Sequence, residues 1–371
     1  MRKINKIYFL LPGMEINKSR ECIPVGGYKV VYEYANMLAK SGYNVVIAYS
    51  HARCHNKSIY KCLYSFFGFY YRKMRKQLRG GTYFKFDEHV SKKFYYRYSA
   101  PWFHLNSNDI AFATAYETAC ELNEIITLSQ NQKYYLIQDY ETWADSEKKI
   151  DASYRFGMHN IVVAPWLKTK VEKAGAKAFY LPNGFNFKLF HLTIPIKNRD
   201  KYHVVMLNHT LEHKRCIDSW NALKIVKKQT PQLHVTMFGA YDKPTDMPSW
   251  YTYRKNPTKD ELNNIYNNGA IYVAASDFEG FGLTIGEAMI CGCAVACTNN
   301  EGFLCMAKDM DTALVSNVYD VEALAKNISL LINNDKLRFQ IAEKGNKYIK
   351  KFTWEASFNQ LKQILEEKLG H

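Results

Sequence analysis

Residues 276–298 read SDFEGFGLTIGEAMICGCAVACT. Two glutamates, Glu279 and Glu287, stand eight residues apart, with the turn Gly280-Phe281-Gly282-Leu283-Thr284 between them. The apolar run Ala270-Ile271-Tyr272-Val273-Ala274-Ala275 precedes this block, and a helix-like pattern follows Thr284. The order is buried strand, glycine turn, helix N-terminus. Such an order makes an anion site, because the first amides of a helix lack intrahelical partners. Glu279 falls on the loop before the helix and Glu287 about one turn into it. The amides suit a phosphate, and each carboxylate suits a set of hydroxyls. This is the outline of a site for a nucleotide sugar.

Working outward, the 371 residues predict two domains, since a single core rarely grows past ~250–300 residues. No apolar run approaches the ~18 residues of a transmembrane helix. Residues 1–13, MRKINKIYFLLPG, lack the apolar core and cleavage site of a signal peptide and read as a first strand over 7–11. Nine cysteines without a CxxC pair predict reduced thiols and a cytoplasmic setting. The charge is local. Residues 51–100 hold twelve Lys/Arg against two acids, which is +10 of the chain's +15. That concentration predicts one anionic partner surface.

Within that segment Tyr60, Leu63, Tyr64, Phe67, Tyr71, Met74 and Leu78 recur at helical spacing, with Lys57, Lys61, Arg72, Arg75, Lys76 and Arg79 over much of the remainder. Two readings of 57–79 stand open. One is a basic, aromatic helix lying on an anionic membrane surface. The other is a helix packed on its domain with a solvated basic face. No recognition motif accompanies the charge, so nucleic acid is not an expected partner.

The rest of the chain alternates strands and helices, as in a doubly wound α/β sheet. Gly26-Gly27 opens a helix that Ser41-Gly42 ends, and 45–48 is a strand. This pair is either a plain turn or a close approach of backbone to ligand. Strands follow at 109–114, 133–138 and 160–164, with helices at 115–126 and 145–155. Ligands bind beyond C-terminal strand ends, which makes Gln138, Asp139 and Glu141 positional candidates. Pro182-Asn183-Gly184 marks a junction. We therefore expect an N-terminal domain over 1–182, rejoined by 354–371, and a C-terminal domain over 187–353. The second domain has strands at 202–207, 233–238, 270–275, 295–298 and 313–315, and helices at 216–228 and 261–268. A cleft between the two domains and a terminal helix returning to the first are expected.

With these pieces in place, the sequence resembles family 4 glycosyltransferases of the two-Rossmann-domain GT-B fold. EGFGLTIGEAMICGCAVACT is similar to that family's two-glutamate block, and VVAPWL (162–167) and LPNGFN (181–186) to its pre-linker strand and linker. YYLIQDYETW (134–143) and SYRFGMHNIVVAPWL (153–167) resemble a narrower, rhamnosyltransferase-like subgroup that builds bacterial cell-surface glycans. The resemblance implies that Glu279 bonds hydroxyls of the donor sugar and Glu287 the ribose or deoxyribose. Gly282, Leu283 and Thr284 would offer amides to the diphosphate, and Lys214 would stabilise the charge that develops as it leaves. It implies a retaining transfer from a UDP- or dTDP-linked hexose or deoxyhexose, with no metal or other cofactor, to a hydroxyl of a lipid-linked or growing glycan. The enzyme would be cytoplasmic or peripheral on the inner face of the plasma membrane.

Three features depart from the family pattern, one being that the glutamate usual soon after the block's second strand has no clear match around Glu301-Gly302. His209 stands where the family carries arginine, so we expect a pH-dependent contact there, with Arg215 supplying charge. Gln138-Asp139 stands where many members carry histidine, so Gly26, Gly27 and Asp139 become the acceptor-side candidates. These departures also permit an alternative, a non-catalytic nucleotide-sugar-binding subunit of a glycan synthesis complex. Asp309-Met310-Asp311 has the form of a metal-binding DxD but lies beyond the donor block and is not expected to hold metal.

Overall fold

Short strands that are apolar on both faces belong in the middle of parallel sheets covered by helices. β1 (Ile7–Leu11, IYFLL) and β2 (Val45–Ser50, VVIAYS) are buried at every position in the computed structural model. It describes residues 4–15, 25–51, 59–100 and 102–369. The first part of the chain continues with β3 (Val90–Tyr95), β4 (Ile110–Ala113), β5 (Lys133–Ile137), β6 (His159–Val162) and β7 (Ala178–Tyr180). Their order in the sheet is β3-β2-β1-β4-β5-β6-β7, and every pair is parallel.

The second part repeats the plan with β8 (His203–Leu207), β9 (His234–Gly239), β10 (Tyr251–Lys255), β11 (Ile271–Ala274), β12 (Ala294–Thr298) and β13 (Leu314–Ser316). Their order is β10-β9-β8-β11-β12-β13, again all parallel. Its core packs Val204, Met206, Ile271 and Leu314 against Leu223 and Ile328 of two covering helices, Cys216–Gln229 and Val321–Asn333. The chain divides into two compact units, Met1–Pro182 with Ser357–His371, and Asn183–Ala356. Most of the last helix, Trp354–Leu369, belongs to the first unit, where Ser357 Oγ and Gln360 Nε2 donate to the Pro182 and Tyr180 carbonyls.

Each sheet reverses its strand order once, between β1 and β4 in the first unit and between β8 and β11 in the second. In doubly wound sheets the crevice at such a switch point is where ligands bind. The loop after β11 is the 276–282 block, and the loop after β8 holds His209 to Arg215.

Three strands, β3, β7 and β10, lie outside the sequence expectations. β3 (VSKKFY) and β10 (YTYRK) are the edge strands of their sheets and carry charged or polar residues on exposed positions. An edge strand has little apolar run to find and uses its charges against edge-to-edge association. Of the basic segment 57–79, residues 57 and 58 lie outside the described residues, and Ile59–Met74 forms a helix.

Candidate active site

The helix Leu283–Ile290 begins from Gly282, whose φ of +87° is left-handed backbone that glycine adopts without penalty. No side chain of that N-cap residue closes the first turn, so the leading amides, those of Leu283 and Thr284 among them, point ahead of the helix. A Cβ on Gly282 would come within 2.7 Å of the Phe303 ring, and one on Gly302 within 2.1 Å of the Glu279 carbonyl oxygen. Both glycines let this loop fold tightly over the residues behind it.

The loop is pinned on several sides. Asn300 Nδ2 and Thr298 Oγ1 donate to the Ser276 carbonyl. Asp277 N donates to the His213 carbonyl at 3.0 Å, joining the 276–282 loop to the one after β8. Ser276 Oγ donates to Glu279 Oε1 at 2.9 Å. Lys214 Nζ lies 2.8 Å from both oxygens of Glu279. With side-chain exposures of 20% and 12%, this is a partly buried pair rather than a screened surface contact. The two residues the resemblance assigned to donor chemistry, 65 positions apart in sequence, thus meet directly.

Glu287 is buried on the helix, where the Tyr266 hydroxyl donates to its Oε2 at 3.4 Å. Tyr266 comes from the end of the helix Lys259–Asn268 and was not among the sequence candidates. The sequence signal for it is weak, because a tyrosine in an amphipathic helix reads as core. One turn into the site helix, a Cβ on Gly286 would meet the Phe185 ring at 2.1 Å, so that ring fixes the helix from behind.

The expectation for His209 is corrected in its charge. Leu211 N donates to Nδ1 at 3.0 Å, and the ring packs edge-on against Tyr241. Burial first, then the positive charges of Lys214 and His213, push its pKa down to about 4. With Nδ1 accepting, the neutral ring carries its proton on Nε2 and is a hydrogen-bond donor, not a cation. A hydrogen bond donated from Nε2 would therefore be constant across neutral pH. We expect His209→Ala to raise the donor KM about fivefold, the size of one lost neutral hydrogen bond. The ratio of variant to wild type should stay flat from pH 8 down to about 5. A ratio that changes tenfold near pH 6.5 would show a titrating histidine instead. The stability consequence follows from linkage. The unfolded ring takes its proton near 6.5, before the folded one does. Stability is then complete above about 6.5 and falls as the pH drops toward 4.

Arg215 follows Lys214 directly. It adopts left-handed backbone (φ 45°), and its guanidinium makes two bonds to Asp218, at 2.7 and 3.0 Å, with Tyr319 beneath it at 5.0 Å. This cation pairs with Asp218 at the start of the helix that follows it.

On the first unit, Gly26 and Gly27 begin the helix Gly26–Lys40, and a Cβ on Gly27 would sit 3.4 Å from the Gln138 amide. The approach the glycine permits is to Gln138, at the C-terminal end of β5. Asp139 beside it is half-buried, and its Oδ1 accepts from Tyr140 N at 3.0 Å. Glu141 is engaged elsewhere. Its Oε2 accepts from Tyr116 N at 2.6 Å, capping the helix Tyr116–Glu124. In the DxD-like triplet, Asp309 accepts from Val315 N and Asp311 pairs with Lys344. Among the described residues no group of three or more His, Cys, Asp or Glu side chains is arranged to hold a metal ion.

Two parallel Rossmann-like sheets with a ligand crevice at the switch point define the GT-B architecture. The chain shares it with solved proteins at low sequence identity. Sucrose-phosphate synthase from Thermosynechococcus elongatus matches with a TM-score of 0.72 at 15% identity, covering 99% of each chain. Anabaena HepE, solved in complex with UDP and glucose, matches with a TM-score of 0.70 at 13% identity, over 98% of this chain and 99% of that one. Residues 192–348, nearly all of the second unit, match the family model for glycosyl transferases group 1. A relative in sequence is the O-antigen chain mannosyltransferase B of Escherichia coli, 32% identical over 106 residues, which are 29% of this chain and 27% of that protein. The chain thus aligns with about a quarter of that relative's length.

Proposed function

We propose that this protein transfers a hexose or deoxyhexose from a nucleoside diphosphate to a hydroxyl of a lipid-linked or growing surface glycan, with retention of anomeric configuration. The observation that carries the reading is the convergence, at one switch point, of an uncapped helix N-terminus, Lys214 held by Glu279, and buried Glu287. All of them lie in the segment that matches group 1 glycosyl transferases. The amides of Gly282, Leu283 and Thr284 receive the diphosphate. Lys214 neutralises the charge that grows on it as the glycosidic bond breaks. Glu279 orients the sugar, and Glu287 takes the hydroxyls of the ribose or deoxyribose. The acceptor oxygen bonds to the anomeric carbon on the face the diphosphate leaves, and its proton passes to the departing phosphate oxygen. No protein nucleophile is needed, and no metal or other cofactor is called for. Gly26, Gly27 and Asp139 serve the acceptor on the first unit. The UDP and glucose bound by HepE support a UDP- or dTDP-linked donor, and the O-antigen relative supports a surface-glycan acceptor. Such a donor and acceptor meet at the cytoplasmic face of the plasma membrane.

A melting-temperature panel of UDP-, dTDP- and GDP-sugars tests the donor. A ligand at about 100 times its Kd adds ~2.7 kcal/mol to the folded state, a shift of several degrees. If none of the panel moves the transition, the donor assignment fails. The histidine at position 209, where an arginine is expected, favours one second reading, a binding subunit without activity of its own. In that case a donor raises the melting temperature while the purified chain neither hydrolyses nor transfers it.

A further inference from the structure

The helix Ile59–Met74 has two apolar faces, and its own unit uses only one of them. Phe66, Phe69 and Tyr70 turn inward. The Phe69 ring is buried, stacked on His51 at 5.1 Å and close to Tyr96 at 5.9 Å, while Phe66 meets Tyr96 edge-on at 5.1 Å. The other face is out in water. Tyr60 is 85% exposed, Tyr64 84%, Phe67 67% and Met74 77%, with Leu63 and Tyr71 half exposed between them. At 100° per residue these six side chains fall in a single band about 100° wide running the length of the helix. A continuous exposed apolar band of this kind marks an interaction surface. It is the same stripe the sequence presents at helical spacing, but turned away from the domain rather than into it.

The charges around the band say what covers it. Lys61 and Arg75 border it on one side, Arg75 lying 4.8 Å over the Tyr71 ring, while Lys73 turns to the domain and donates to the Phe94 carbonyl at 3.1 Å. From residue 59 to residue 79 there are six Lys/Arg and no acid. Trp102, partly exposed, packs against Phe66 and Tyr70 at 5.9 Å and adds an amphipathic ring at the edge. Among the described residues no helix is long and apolar enough to cross a membrane. An apolar face rimmed by cations on a surface helix is the pattern of a segment lying in the plane of an anionic bilayer. A second copy of the chain fits poorly, because a two-fold contact through this face would set one cationic rim against another.

We propose that the Tyr60–Met74 face of this helix docks the protein on an anionic lipid bilayer, with the six apolar side chains entering the headgroup boundary and Lys61 and Arg75 pairing with lipid phosphates. The proposal does not depend on the donor chemistry, and its test uses no nucleotide sugar. A failure here therefore leaves the transfer reading standing, and an inactive protein that still docks would do the reverse.

Flotation of the full chain with vesicles decides it, using phosphatidylcholine alone and an equal mixture of phosphatidylcholine and phosphatidylglycerol. The wild type should float with the mixed vesicles, stay behind with phosphatidylcholine alone, and be released by high salt. Tyr64→Ser with Phe67→Ser should lower partitioning by on the order of tenfold or more. Lys61→Ala with Arg75→Ala should lower it about fivefold per residue removed. These side chains are exposed, so melting temperature and circular dichroism should match the wild type in both variants. Wild type that does not float with mixed vesicles overturns the proposal without recourse to any variant. So do variants that float like the wild type, and so does a dimer in light scattering that the aromatic variant dissolves, which would give the face to a second copy.

Discussion

Lys214→Ala should lower kcat/KM for sugar transfer by about 10²–10³, or ~2.7–4 kcal/mol, the scale seen when one group stabilising a developing anion is removed. The lysine is fixed before any donor arrives. Its Nζ sits 2.8 Å from both oxygens of Glu279, Ser276 Oγ holds the same carboxylate at 2.9 Å, and the backbone bond from Asp277 N to the His213 carbonyl ties the two loops together. Such a charge does not have to be moved into place as the diphosphate leaves, which is what makes preorganised electrostatics effective. Most of the loss should fall on kcat, because the negative charge grows in the transition state. Lys214→Arg should recover little, since a guanidinium fork cannot take the place of one compact ammonium between both Glu279 oxygens. Glu279→Gln alone should also be strongly impaired. Combining it with Lys214→Ala should cost much less than the product of the two, because each single change already breaks the pair. Donor hydrolysis and transfer are read alongside circular dichroism and melting. A folded Lys214→Ala protein with more than about a third of wild-type kcat/KM would remove the lysine from the chemistry.

Much of this site is legible in the chain because its parts are local. A strand, a glycine turn and a helix within residues 270–290 put the amides, Glu279 and Glu287 in their places, and the apolar runs of the central strands mark the sheets. Charge and orientation are not local. That His209 is neutral depends on burial and on Lys214 and His213 beside it, which no spacing in the sequence conveys. That Arg215 pairs with Asp218 depends on a left-handed residue joining a short turn to a helix. The stripe on the helix Ile59–Met74 is visible as a period, but aromatic residues occur on both sides of that helix, and only the packing of Phe66 and Phe69 tells which side faces in. The edge strands β3 and β10 lack the apolar signature because one of their sides has no neighbouring strand.

Arg199→Leu should destabilise the second unit by about 3–5 kcal/mol, a fall in melting temperature on the order of 10 °C. Arg199 lies just before β8 and is buried, and its guanidinium donates to carbonyl and amide oxygens. Nη1 donates to the Gly269 and Tyr266 carbonyls at 2.9 and 3.3 Å, at the C-terminal end of the helix Lys259–Asn268. Nη2 donates to the Cys291 carbonyl, at the C-terminal end of the site helix Leu283–Ile290. Two helix ends, each with unpaired carbonyls and a partial negative charge, thus share one cation. Leucine fills much of the space but takes the side-chain donor from the buried Cys291 carbonyl and leaves the Tyr266 and Gly269 carbonyls with the weak thiol donor of Cys293, which is the expensive way to lose a hydrogen bond. Lysine keeps the charge without the fork, so Arg199→Lys should lose about half as much. The effect reaches the site by a short path. Tyr266 donates to Glu287, and Cys291 ends the helix whose first amides are the proposed diphosphate site. Donor KM should therefore rise in Arg199→Lys even where the protein stays folded, with kcat little changed. Arg155→Leu, which removes an exposed bond to the Ala174 carbonyl in the first unit, is the control and should stay within about 0.5 kcal/mol. If Arg199→Leu melts as the wild type does, the two helix ends are satisfied without it, and the guanidinium is not what holds Tyr266 and the site helix in register.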